Sequence, residues 1–222
     1  MPQVDLTGPA GRLEALLEEA HGARFAALVC HPHPRYGGTM HNHATYRLAR
    51  AVRSAGGTTL RFNYRGVGRS AGRYDGGRGE ALDARAALDH LRALDPGRPL
   101  LCCGFSFGAW VAVACSGEPG LAGLLLAGLP LRSAEVDGVR LPDHLRAATV
   151  PVAVVQAEGD EFATPAEVRE AVAGSAGPRR VTGVPAVTHL FDEDLPALER
   201  EAALALSWIL AGRIEGRPET AP

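Results

Sequence analysis

Short apolar runs alternate with amphipathic stretches along most of this chain. Residues 25–30, 58–63, 100–103, 121–126 and 152–156 are dominated by aliphatic, aromatic and small side chains, and clusters of Gly, Pro, His or Arg interrupt the sequence between them. Runs of that length without clear polar alternation fit strands covered on both faces, hence a mainly parallel sheet with helices on each side. The intervening stretches 42–55, 80–94, 107–115, 165–173 and 196–211 are rich in Ala, Leu and Arg and predict the covering helices. Residues 180–184 predict a last strand. Near the start, segments 4–6 and 12–18 flank Gly8-Pro9-Ala10-Gly11, which predicts an antiparallel hairpin at one sheet edge. Only the 18 residues 131–148 separate the strand-like stretch 121–129 from the next run, which leaves no room for a large lid domain.

Length and charge narrow the reading. With 222 residues and no Ser-rich or Gln-rich linker, residues 1–212 are expected to form one domain, and the polar, Pro-containing residues 213–222 a disordered tail. A formal charge of -2 offers no basic face for nucleic acid and no polybasic patch for anionic membranes, so the expected partner is a small molecule. All 23 basic residues are Arg. Without Lys the chain has no P-loop lysine, no pyridoxal phosphate Schiff base and no lysine nucleophile. Cys30, Cys102, Cys103 and Cys115 sit in apolar segments and read as reduced core thiols. Met1-Pro2-Gln3-Val4-Asp5 lacks the basic and apolar regions of a signal peptide, and no stretch reaches the ~18 apolar residues of a membrane span. The expectation is a cytoplasmic protein whose oligomeric state the sequence leaves open.

The chemistry is concentrated where the predicted strands end. Gly104-Phe105-Ser106-Phe107-Gly108 stands between an apolar run and a helix-like stretch, which is the context of a nucleophile elbow. In that turn a serine hydroxyl leaves the strand and becomes accessible to a base, and the amide that follows it, here Phe107 N–H, faces the position of an oxyanion. In parallel sheets ligands gather at the carboxyl ends of strands, and those ends here carry His31-Pro32-His33-Pro34, Arg65-Gly66-Val67-Gly68, Ser106, Gly159-Asp160 and His189.

Two rival readings use the same loops. His31, His33, His41 and His43 form two His-x-His pairs, but no neighbouring Cys or carboxylate completes a zinc ligand set. Gly66, Gly68 and Ala71 formally fit a dinucleotide fingerprint, yet the glycine-rich residues 72–79 replace the helix that must follow. Neither a metal nor a nucleotide cofactor is expected, and Arg65 reads as a structural ion-pair or carbonyl donor.

Three motifs in order, His31-Pro32-His33-Pro34-Arg35-Tyr36-Gly37-Gly38-Thr39-Met40, Arg61-Phe62-Asn63-Tyr64-Arg65-Gly66-Val67-Gly68-Arg69-Ser70 and the elbow, resemble the α/β-hydrolase superfamily. Within it, they resemble the small predicted hydrolases whose loop reads HPHPxxGG. The resemblance implies an α/β-hydrolase fold with a mainly parallel, doubly wound sheet. It also implies the chain order nucleophile, acid, base, met by Ser106, Asp160 and His189, with Glu158, Glu161 and Asp192 competing for the acid role. Alignment with the superfamily makes His33 N–H the second oxyanion donor. Tyr36, Met40 and Phe105 are candidates for the substrate pocket, with Phe107 and Trp110 as further aromatic neighbours. The implied activity is serine-dependent hydrolysis of carboxylic esters with small or medium acyl groups, without cofactor. Thioester hydrolysis, acyl transfer and non-catalytic binding of a small molecule are the alternatives that this fold leaves open.

Overall fold

The computed structural model describes residues 3–132, 141–185 and 187–214. The chain opens with β1 (Gln3–Gly8) and β2 (Gly11–Glu18), joined by the expected tight turn and paired antiparallel with Leu6 opposite Leu13. It then alternates through β3 (Ala26–Cys30), α1 (His43–Ser54), β4 (Thr58–Phe62), α2 (Arg78–Leu94), β5 (Leu100–Phe105), α3 (Phe107–Ala114) and β6 (Leu121–Ala127). The last elements are α4 (Leu141–Ala147), β7 (Val152–Ala157), α5 (Pro165–Ala171), β8 (Arg179–Val184) and α6 (Leu195–Ile214). Residues 213 and 214, assigned from sequence to the tail, continue α6, and the rest of that expected tail lies outside the described residues.

Among the described residues the sheet has eight strands in the order β1-β2-β4-β3-β5-β6-β7-β8. β2 pairs antiparallel with β4, and every later pairing is parallel. Strand alternation divides the core into two layers. Ala26, Leu28 and Cys30 face one side of β3, against Ala84 and Leu88 of α2 and Ala109 and Val113 of α3. Ala27 and Val29 face the other, against Leu48 and Val52 of α1 and Leu206 and Ile209 of α6. With helices on both faces, β3 to β7 are wholly buried, which is why β3, β5, β6 and β7 read as nearly continuous apolar runs, whereas β4 carries two threonines and a buried Arg61 paired with Glu18.

α4 is an element the sequence pattern did not predict. Its buried side chains are Leu141 and Leu145, one helical turn apart, too short a signal to establish a period. All four cysteines are free and buried, and burial pushes the Cys103 thiol well above its ordinary value, so it stays a neutral, unreactive core side chain. Among the described residues no helix is long and apolar enough to cross a membrane.

Candidate active site

Ser106 occupies the one-residue corner between β5 and α3, with φ 55° and ψ -121°. A non-glycine residue in that conformation is strained, and the strain persists because the corner is packed from both sides. A Cβ on Gly104 would stand 2.0 Å from the carbonyl oxygen of Gly108, and one on Gly108 would stand 2.3 Å from the carbonyl oxygen of Cys30. The two glycines therefore let α3 turn back onto its own strand and press against the end of β3. That approach brings the loop after β3 to the elbow: the ring of His33 lies 4.8 Å from the ring of Phe107.

Ser106 Oγ lies 2.8 Å from His189 Nε2, and His189 Nδ1 lies 2.8 Å from Asp160 Oδ2. The carboxylate accepts the Nδ1 proton, which leaves Nε2 as an acceptor for the serine hydroxyl proton. Asp160 is held on every side: Oδ1 accepts from Phe162 N–H at 2.8 Å, and Oδ2 also accepts from Gln156 Nε2 at 2.8 Å. Gln156 is itself fixed, donating to the Ala163 carbonyl at 2.8 Å and accepting from Leu129 N–H at 2.7 Å. The imidazole stacks on Phe105 on one side and touches Phe162 at a ring separation of 4.6 Å. Glu158, Glu161 and Asp192 are exposed, and Asp160, buried, is the carboxylate that meets the imidazole.

The loop carrying His33 is anchored at both ends. Met40 N–H donates to Asn63 Oδ1 at 2.8 Å, and Arg61 Nη1 donates to the Met40 carbonyl at 3.0 Å. Within the loop, Tyr36 N–H and Gly38 N–H both donate to the His33 carbonyl at 3.1 Å, closing the single 3-10 turn Pro34–Tyr36. His33 Nδ1 accepts from Arg35 N–H at 3.1 Å, so the ring proton sits on Nε2 and points at Tyr74 Oη, 3.1 Å away. Burial, then the charge of Arg35, holds the His33 imidazole below its ordinary pKa. Phe107 occupies the first position of α3, where an amide has no acceptor inside its own helix.

His31 is the inner anchor. Its Nδ1–H donates to the Pro32 carbonyl at 2.7 Å, and its Nε2 accepts from Tyr64 N–H at 3.2 Å. Protonation would place a donor against that amide, and burial already lowers its pKa to about 3. The native chain therefore binds no proton at His31 between pH ~6.5 and ~3, while the unfolded chain does. Stability is unaffected by this group above pH ~6.5 and falls as pH drops below it, by up to ~1.4 kcal/mol per pH unit. Urea unfolding from pH 7 to pH 4.5 is expected to show a slope steeper, by about one proton, than that of His31→Gln. Equal slopes would contradict the assignment.

Other expected site residues fall elsewhere. Phe105 and Met40 are fully buried, at 0% and 1% exposure, and do not wall an open pocket. Phe105 follows Leu101 and Cys103 on the face of β5 that packs in the α6 layer, behind the His189 ring, while Met40 is held through its backbone, whose N–H and carbonyl bond Asn63 and Arg61. Of the three, Tyr36 alone is exposed. Arg65 is a structural donor, gripping Asp83 through Nε and Nη2 at 2.9 and 2.7 Å. α2 begins only at Arg78, so no helix N-terminus follows Gly66 and Gly68. Among the described residues no three His, Cys, Asp or Glu side chains group around one point as metal ligands would. Gln156 was missed from the sequence, although a lone amide near the end of the apolar run Val152–Ala157 is a signal of a buried, hydrogen-bonded group.

A family model described as alpha/beta hydrolase domain matches residues 26–192. The structure of an alpha-beta serine hydrolase homologue from Coxiella burnetii is 30% identical, with a TM-score of 0.83 over 92% of this chain and 97% of that one. A serine hydrolase without a lid from Xanthomonas campestris is 29% identical, with a TM-score of 0.80 over 93% of this chain and 94% of that one. An uncharacterized protein of Rickettsia prowazekii is 46% identical over 115 residues, 51% of this chain and 48% of that protein. The match thus spans about half the length of that relative.

Proposed function

Because the chain belongs to the alpha/beta hydrolase domain family, we propose that it hydrolyses carboxylic esters of small to medium acyl groups, with Ser106 as nucleophile. The observation that carries this reading is the continuous hydrogen-bonded line from Ser106 Oγ through both nitrogens of His189 to a buried Asp160. As Ser106 Oγ bonds to the acyl carbon, its proton passes to His189 Nε2 and the carbonyl electron pair moves onto oxygen. Collapse of that intermediate breaks the bond to the alcohol, which leaves with the proton from Nε2. Water then repeats the sequence against the acyl-enzyme, releasing the acid and restoring the serine. Protein, ester and water account for every proton and electron pair.

The oxyanion is assigned to the amides of Phe107 and His33, in keeping with the HPHPxxGG loop that resembles those of small hydrolases. The close approach of α3 to the end of β3 supports this pairing. Each such donor contributes about 3 kcal/mol to stabilising the transition state. Asp160 fixes the tautomer of His189 and stabilises the imidazolium, and Gln156 fixes Asp160. The four buried, free thiols suit a cytoplasmic setting. The experiment is covalent capture: a fluorophosphonate, which resembles the tetrahedral stage, is expected to modify Ser106. An active probe that leaves folded protein unmodified would count against the reading.

A further inference from the structure

The rim of the site has its own chemistry. The ring of His33 is surrounded by three aromatic rings: Tyr36 at 4.8 Å, Tyr74 at 5.1 Å and Phe107 at 4.8 Å. Phe107 immediately follows Ser106, so the cluster begins one residue from the nucleophile. Tyr36 is 88% exposed, an unusual position for a large ring. It stands on a 3-10 turn with Pro34 at its start and Gly37 in the left-handed region at its end, and the turn is closed onto the His33 carbonyl. An aromatic ring on a stiff turn offers a flat face at little entropic cost to a ligand.

Charge accompanies the rings. The guanidinium of Arg35 lies 6.0 Å over the Tyr74 ring, is exposed, and makes no ion pair among the described residues. The nearby carboxylates are engaged elsewhere. Glu80 accepts from Gly77 N–H and Asp75 N–H, Asp83 is gripped by Arg65, and the Asp75 carboxylate lies 3.9 Å from Arg65 Nη1. The rim therefore combines a flat aromatic face with an unneutralised cation.

Resting on the ester-hydrolase reading above, we infer that the preferred acyl group carries a flat aromatic ring bearing an anionic substituent. The ring packs on Tyr36 and the His33 cluster, and the anion meets Arg35. Two features of substrate follow from two separate residues, so each has its own variant.

The test compares three methyl esters on wild-type protein: methyl cyclohexylacetate, methyl phenylacetate and methyl (4-carboxyphenyl)acetate. The methylene group blocks conjugation between ring and ester, and each kcat/KM is divided by that ester's hydroxide-catalysed rate constant to remove the remaining inductive and steric difference. Phenylacetate is expected to exceed cyclohexylacetate by about tenfold in kcat/KM. The carboxylate is expected to add up to about fivefold at low salt and to lose that advantage as salt rises. Tyr36→Ala should erase the first difference and Arg35→Ala the second. Equal or better hydrolysis of the saturated ester, by protein that a fluorophosphonate labels at Ser106, would overturn the inference while leaving the hydrolase reading intact. If Ser106 is not labelled and no ester is cleaved, the hydrolase reading fails and calorimetry with 4-carboxyphenylacetate decides the rim. Saturable binding weakened by Arg35→Ala would support it, and absence of binding would overturn it.

Discussion

Ser106→Ala and His189→Ala are each expected to lower kcat for ester hydrolysis by at least about 10⁴-fold, and the double variant by no more than the worse single one. The reason is that Oγ and Nε2, 2.8 Å apart, act as one unit: a serine without its base is a weak nucleophile, and a base without the serine has nothing to activate. Loss of activity is not expected to come from loss of fold. Ser106→Ala deletes one oxygen from a half-buried side chain and leaves the backbone of the corner unchanged. His189→Ala removes a donor from Asp160, but Phe162 N–H and Gln156 Nε2 remain to hold the carboxylate. Circular dichroism and urea unfolding of both variants check that the chain is folded. Turnover within tenfold of wild type in either folded variant would refute the assignment of that residue.

Gly104→Ala is expected to cost about 3 kcal/mol or more of stability and to abolish labelling of Ser106. The added carbon would meet Gly108 carbonyl oxygen at 2.0 Å and its carbon at 2.3 Å. Both atoms are backbone, so relief requires moving the first turn of α3, which itself presses on the Cys30 carbonyl. No rotamer change absorbs that. Gly117→Ala is the control, because no atom lies within 4 Å of its added Cβ. Its urea midpoint is expected to stay near that of wild type. Equal midpoints for Gly104→Ala and wild type would show that the elbow is looser than its packing implies.

The legible part of this molecule was the part encoded by long, uniform signals. Four of the five buried strands announced themselves as apolar runs, and the hairpin by its Gly8-Pro9-Ala10-Gly11 turn. Ser106, Asp160 and His189, chosen by chain order after their strands, are brought into one hydrogen-bonded line. Where the sequence misled, the missing quantity was direction. Phe105 and Phe107 flank the same serine, but the positive φ at Ser106 sends them to opposite layers of the core. Apolar identity says that a residue will be buried without saying which layer receives it. Met40 fails for a related reason, because its place depends on Asn63 and Arg61, 23 and 21 positions away. Gln156 acts through Asp160, Ala163 and Leu129, contacts that exist only once β7 lies beside β6.

The central claim is that Ser106 is an activated nucleophile. Intact mass and peptide mapping after treatment with a fluorophosphonate, on wild type and Ser106→Ala side by side, test it most directly. One adduct per chain, confined to Ser106 and absent from folded Ser106→Ala, is the predicted result. No adduct on folded wild type under conditions where the probe modifies a known serine hydrolase, or an adduct that persists in Ser106→Ala, would contradict it.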